Sequence, residues 1–249
     1  MTGRPGLILG PIVTGLFLLA FFLVSSRASN PFIQPAWELW NTMGRELDGE
    51  FLLRHLVSTI STASSGYVIG AAVGLILGLA ISLSQSFYQT FYPFLIWARA
   101  TPSAAIVPVA IAVLGFGSST IVFLVCVMTM LQVAVTTGLA LVQTKKDYLD
   151  VAAVYRFNAR EKLMLVRVGA NLKNLVVGLQ AGLQSAIGIT LLAEALSSDT
   201  GLGAYIVYSL STFRLDNLWF ALVAIGLIGL MFNAIFHLLE RFVPGLSYG

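Results

Sequence analysis

The sequence predicts an all-α membrane protein with about six transmembrane helices, both termini cytoplasmic, and a charged cytoplasmic loop between the fourth and fifth helices. Three observations predict it. Hydrophobic residues make up 57% of the 249-residue chain and charged residues 10%, with a mean hydropathy of +0.88. A soluble domain is roughly half apolar and about a quarter charged. The apolar residues collect in stretches long enough to cross a bilayer, which takes about 20 residues at about 1.5 Å each. Half of the fourteen basic residues (Lys145, Lys146, Arg156, Arg160, Lys162, Arg167 and Lys173) fall in one interval between two such stretches.

The spans are read at 7–26, 58–84, 92–115, 119–142, 174–196 and 217–239. The first follows Arg4 and ends in VSSRAS, which a secretory signal could also do. Its apolar run, Leu7 to Val24, exceeds the usual h-region of about 7 to 15 residues, which favours a retained span. Residues 28–56 form an external amphipathic segment, with Trp37, Trp40, Leu47, Phe51 and Leu52 suited to the interface. The second span is uniform, whereas the third is interrupted by Arg99, Pro102 and Pro108. Prolines kink a membrane helix, and neighbouring helices must satisfy the freed carbonyls, so the third span packs inside the bundle. The third span is the least uniform of the six, and 147–173 is the loop joining the fourth to the fifth.

Orientation follows from the Lys and Arg distribution. With the N-terminus inside, the cytoplasmic segments hold Arg4, the seven loop residues and Arg241; the external segments hold only Arg27, Arg45, Arg54 and Arg214. The positive-inside rule places both termini in the cytoplasm. The same concentration of charge in one loop argues against nucleic-acid binding, because the excess is only three charges.

Several chemistries lack their residues. Cys126 is the single cysteine, so no intrachain disulfide forms, and it reads as a small apolar side chain. His55 and His237 stand in unrelated segments without ligand spacing, and both read as interfacial. No GxxxxGK[ST] loop is present, since the four lysines follow Thr, Lys, Glu and Leu. No nucleophile elbow or HExxH appears either, so no enzymatic activity and no cofactor or metal are expected in this chain. Ser64, Ser65 and Thr129 read as polar groups joining helices.

Within the second span, Gly66, Gly70, Gly74 and Gly78 recur every four residues and line one helix face. Small residues there let another helix approach closely, in this chain or in a second copy. The fifth span repeats the pattern with Gly178, Gly182 and Ala186 and reaches Glu194 near its external end. An ionisable residue in a span marks a substrate or ion pathway, or else sits hydrated at the interface. Arg99 carries the same two readings, and its long side chain can snorkel to the cytoplasmic face.

Residues 147–206 contain a pattern that resembles the signature region of permease subunits of bacterial ABC importers, the binding-protein-dependent inner-membrane components. The closest flavour is the nitrate, sulfonate, taurine and bicarbonate group. Asp150 stands at the acidic position of the motif, and Val151 and Ala152 continue it. VGLQ at 177–180 resembles the entry to the following span, and AEALSSDTGLGAYI at 193–206 is the strongest correspondence. The third span, with its prolines and terminal Gly-Phe-Gly, also looks like its counterpart, so the resemblance covers about 58–240. Two departures from it stand out. Arg156 replaces the motif glycine, and Val168 and Gly169 occupy the usual Leu-Pro positions. A turn needing positive φ disfavours Arg, whereas Asn tolerates it, so the turn is expected to move to Phe157 and Asn158.

The resemblance implies a bacterial inner-membrane protein that lines the pathway of a small, anionic organic or inorganic solute. It also implies partners: ABC ATPase subunits holding ATP and Mg, a second identical or paralogous permease, and an extracytoplasmic substrate-binding protein, all around the lipid bilayer. Coupling to the ATPase would rest on Asp150, Val151, Ala152, Tyr155, Arg156, Asn158 and Arg160, which form a small apolar patch with a charged rim. Arg99, Glu194, Gly201 and Gly203 are the candidates for pathway or gate. The divergence at Arg156 suggests pairing with a second, more typical permease. A different class of function, an ion-gradient-driven transporter or channel using Glu194, would need no ATPase.

Overall fold

The computed structural model describes residues 50–242, with side chains from Phe51 to Phe236 other than that of Arg99. The described residues are helical with no strand: α1 (Glu50–Ser82), α2 (Gln85–Ala100), α3 (Ser103–Leu114), α4 (Ser118–Val142), α5 (Lys146–Val154), α6 (Ala159–Ser197), α7 (Leu202–Ser211) and α8 (Leu215–Phe242). Four of them, α1, α4, α6 and α8, are long and apolar enough to span a membrane, and α2 with α3 can be counted as a fifth, broken span. The span expected at 7–26 lies outside the described residues, as does most of the segment at 28–56. Its last residues, 50–56, belong to α1 and continue directly into the membrane helix. Periodicity cannot mark that boundary, because an amphipathic turn and a span share the same helical repeat.

The centre is a three-helix slab, α1–α4–α6, with α4 in the middle and 14 of its 25 residues buried. Small residues bring the backbones together. A methyl added at Gly66 would stand 2.6 Å from Val125 Cβ; at Gly74, 2.7 Å from the Met130 carbonyl; and at Gly78, 2.5 Å from Thr137 Cβ. Gly70 faces the Cys126 carbonyl and Thr129 Cβ. The partner of the four-glycine face is therefore α4 of the same chain. From α6, Gly182 faces Val133, with 2.8 Å left for a methyl, and Gly178 faces Thr136. Between helices in lipid no water is released by apolar contact, so this close fit and its dispersion attraction hold the slab. Thr129 and Thr137 serve it through their carbon atoms. Their hydroxyls are buried with no hydrogen-bond partner, so Thr129 is not the polar link expected from the sequence.

The third expected span is two helices. α2 and α3 meet at 86° across Thr101 and Pro102. Pro disfavours the helical conformation in the residue before it, and Thr101 is extended, with φ −68° and ψ 125°. Pro93 and Pro108 are carried inside α2 and α3, so the break is at Pro102 alone.

The interval read as a loop, 147–173, is also mostly helix. Asn158 caps α6 by accepting from the Glu161 N–H at 2.9 Å, while Glu161 accepts from the Asn158 N–H at 2.8 Å. That reciprocal capping box starts α6 fifteen residues before the expected edge of the fifth span. Because Val168 and Gly169 stand where a Pro would stop the helix, α6 runs through, with a π-helical stretch over Lys162–Val168.

Candidate functional site

The sequence-predicted residues gather at two ends of the slab. At the first, α5 carries Tyr148, Val151 and Val154 along one face, joined by Tyr155, and all four are exposed, Val154 to 80%. Asp147, Asp150, Arg156 and Arg160 are exposed around them. Ala152 points the other way and is buried, 1% exposed, so it belongs to the packing of α5 and not to the patch. Helical geometry requires this: Val151 and Val154 share a face, and Ala152 lies about 100° from Val151.

The turn after α5 stays on Arg156. Its φ is +54°. The Phe157 N–H reaches the Ala152 carbonyl at 3.0 Å and the Arg156 N–H reaches that of Ala153 at 3.1 Å, which is the Schellman closure with Arg156 as its left-handed residue. The expected shift of the turn to Phe157 and Asn158 does not occur, because Asn158 is committed to capping α6. Arg accepts the left-handed conformation at a cost of about 1 to 2 kcal/mol.

Behind this turn, a polar network joins α6 to the ends of α1 and α4. The Arg167 guanidinium donates to the Ser82 carbonyl at the end of α1. Asn171 donates to Thr144 Oγ1 at 2.9 Å and to the Arg167 carbonyl at 2.8 Å. Thr144 in turn donates to the Leu141 carbonyl at 2.8 Å. Nothing in the spacing announces this network, and Asn171 stands in the interval read as a loop.

At the other end, Glu194 is buried, 1% exposed, and not hydrated at an interface. Thr59 Oγ1 on α1 lies 3.0 and 2.8 Å from its two carboxylate oxygens and accepts the Leu202 N–H at 2.8 Å. The Gly203 N–H donates to Glu194 Oε2 at 3.1 Å. Gly201, at φ +105°, lies so close that any side chain there would meet the carboxylate, and one at Gly203 would meet the α6 backbone. His55 Nδ1 is 2.9 Å from the Gly201 carbonyl, so His55 is buried in this cluster and not interfacial. Glu194, Gly201 and Gly203 thus form one unit that fastens the 198–203 loop to α1. The sequence named these three, misplaced His55 at the interface, and missed Thr59, which carries no signal of its own in α1.

Arg99 is not part of either end. Its backbone lies in the last turn of α2, beside the break, and its side chain is outside the described residues.

The close-packed slab, the broken span and the short exposed helix at one end have the architecture of a multi-span helical membrane protein. The fold is that of a chain of the MetNI methionine ABC transporter seen in inward-facing conformations, with a TM-score of 0.67 and 16% identity, covering 79% of this chain and 96% of that one. Residues 51–244 match the binding-protein-dependent transport system inner membrane component family, and the chain belongs to it. The riboflavin transport system permease protein RibX of Chloroflexus aurantiacus is 29% identical over 240 residues, 94% of this chain and 88% of RibX. The putative aliphatic sulfonates transport permease protein SsuC of Bacillus subtilis is 27% identical over 196 residues, 78% of this chain and 70% of SsuC. As a family member, the chain is an inner-membrane transport component that works with a binding protein and an ATPase.

Proposed function

We propose that α5 and the Arg156 turn dock into an ABC ATPase subunit, that a second permease chain completes the pathway, and that both termini face the cytoplasm. The observation that carries this reading is the exposed face of Tyr148, Val151, Val154 and Tyr155, ringed by Asp147, Asp150, Arg156 and Arg160. An apolar centre with a charged rim fits a helix-in-groove contact, with a partner that excludes water from the centre. ATP and Mg are bound and ATP is hydrolysed in that partner, and this chain transmits the motion. A ligand shifts an equilibrium only by its differential affinity, so the ATP-bound ATPases must grip one state of the permease more tightly than the other.

The network behind the turn supports such transmission, because a displacement of the first turns of α6 is passed through Arg167 and Asn171 to the Ser82 end of α1 and the Thr144 end of α4. The Arg156 turn keeps the place of a glycine turn, so replacement of that glycine no longer argues for a paralogous partner, and a homodimer is the simpler assembly. Glu194, tied to Thr59 and Gly203, acts as a fastening of the external loop. A gradient-driven transporter using Glu194 would need that carboxylate released in each cycle. The substrate is a small organic or inorganic solute, anionic by the resemblance, and the names of RibX and SsuC speak of riboflavin and aliphatic sulfonates in their own systems.

Purification from native membranes in mild detergent, repeated with Asp150→Arg combined with Arg160→Glu, tests the docking. The expected result is co-purification of an ATPase with the natural chain and its loss with the variant. Absence of any ATPase under several mild conditions, with uptake driven by an ion gradient, would replace this reading by the gradient-driven one. The same gel counts the permease species.

A further inference from the structure

At the α2–α3 break the slab opens into a cleft of about 220 Å³, lined by Thr101 and Ser103 from the break, Gln132 and Met128 from α4, and Ser185 and Ile189 from α6. Its level follows from the sequence positions of its walls. Gln132 lies near the middle of α4 (Ser118–Val142) and Ser185 lies near the middle of the α-helical part of α6 that follows the π-helical stretch (Gly169–Ser197). Irregular backbone at such depth is tolerated only where it is buried in protein or lines a water-filled cavity.

The polar groups here have no structural employment. Among the described residues, the Gln132 side-chain amide and the Ser103 and Ser185 hydroxyls donate to and accept from nothing in the chain, whereas Thr101 is held by the Trp97 carbonyl at 3.3 Å. Elsewhere in the slab, Thr190 is tied to the Ala186 carbonyl at 2.8 Å and Thr136 to that of Gln132 at 2.9 Å, while the unpaired hydroxyls of Thr129 and Thr137 are sealed in helix packing and open onto no cleft. Unpaired hydrogen-bonding groups inside a membrane carry a large penalty unless water or a ligand meets them. Three of them converge on one opening at a helix break.

We propose that this cleft is a resting station on the transport pathway, and that it receives a compact organic solute presenting uncharged hydrogen-bonding groups on one side and an apolar flank on the other. Gln132 supplies two donors and one acceptor, and the serines supply one donor each with acceptor capacity. Met128 and Ile189 cover the apolar flank, the thioether adapting to its shape. No described side chain lining the cleft is charged, so the described walls select by hydrogen bonding and shape. The proposal rests on the permease reading above and extends it to the chemistry of the cargo.

The test uses the complete transporter in lipid nanodiscs, with Cys126→Ala removing the native thiol and Ser185→Cys, or separately Ser103→Cys on the facing wall, introducing a new one. The probes are three thiol reagents of similar size: hydroxyethyl, sulfonatoethyl and trimethylammonioethyl methanethiosulfonate, each rate divided by that with a free thiol in solution. The expected result is that the uncharged hydroxyethyl reagent reacts fastest at both cleft positions. It should be at least about tenfold faster there than at Val177→Cys, an exposed apolar position on α6, as a wet site differs from hydrocarbon. Preference for the sulfonate reagent at both positions would overturn the assignment of the cargo class. Rates at both positions no greater than at Val177→Cys would overturn the cleft as a wet station. Loss of the ATPase on purification would strike the docking proposal and leave these rates readable, so the two failures are distinct.

Discussion

Thr59 on α1 and Glu194 on α6, separated by 135 residues in sequence, share one hydroxyl proton between both oxygens of a carboxylate, at 3.0 and 2.8 Å. The same hydroxyl oxygen accepts the Leu202 N–H, so a single side chain fastens the span, the loop and the start of α7. Replacing it by an isostere without the oxygen strands an acid and a backbone donor in a buried place. Thr59→Val is therefore expected to destabilise the chain by about 1 to 3 kcal/mol, with Thr59→Ser restoring most of the loss. Thermal unfolding of the purified chain in detergent reads both.

Gly201→Ala combines two penalties at one atom. The residue sits at φ +105°, and its new methyl would enter the Glu194 carboxylate. Backbone strain alone accounts for about 1 to 3 kcal/mol, so folded yield should drop sharply. Gly226→Ala on α8, where a methyl meets nothing within 4 Å, should fold normally. Size-exclusion profiles of fluorescent fusions compare the two.

In the slab, Gly70→Ala should separate α1 from α4, since the added methyl meets the Cys126 carbonyl and lies 2.8 Å from Thr129 Cβ. Overpacking of this kind typically costs about 1 to 3 kcal/mol. Gly229→Ala, open on α8, is the matched control, and the melting temperature of each variant decides.

Arg156→Gly should keep the docking turn and strengthen it, by up to about 1 kcal/mol once the greater freedom of Gly in the unfolded chain is set against the relieved strain. Arg156→Val should undo the turn, since a β-branched residue resists positive φ. Co-purification of the ATPase should survive the first change and fail with the second.

Arg167→Gln shortens and neutralises the group that reaches the Ser82 carbonyl. A hydrogen bond from a charged donor contributes about 1.5 to 3 kcal/mol, so a lower melting temperature is expected. If the network transmits motion from the ATPase, the ATPase should still bind while its stimulation by the loaded binding protein falls. Pull-down and ATP hydrolysis rates separate those effects.

The sequence made the helical class and most apolar elements readable because a bilayer imposes a length that hydropathy records. The glycine faces were readable too, since spacing of four survives as geometry; what spacing withheld was the partner, which turned out to be α4. Glu194, Gly201 and Gly203 could be named from pattern, but their joining required Thr59, an ordinary threonine in an apolar helix. Arg156 misled for a physical reason: its bulk argues against positive φ, yet the Asn158 cap downstream fixes where α6 begins and leaves Arg156 as the residue that must bend. The break at Pro102 was legible as a kink and became a corner, because Thr101 ahead of the proline leaves the helix altogether.

The wide turns over Lys162–Val168 hold slightly more chain than α-helical turns would. If that stretch tightened to ordinary α-helix by passing on one residue, everything before it would rotate by about 100° and advance about 1.5 Å relative to the Gly178 and Gly182 face. The Asn158 cap and the Arg156 turn would follow a screw path, while the face seated against α4 stayed still. A grip applied at α5 would then be felt as torque about the axis of α6, with the π-helical stretch serving as the threaded joint.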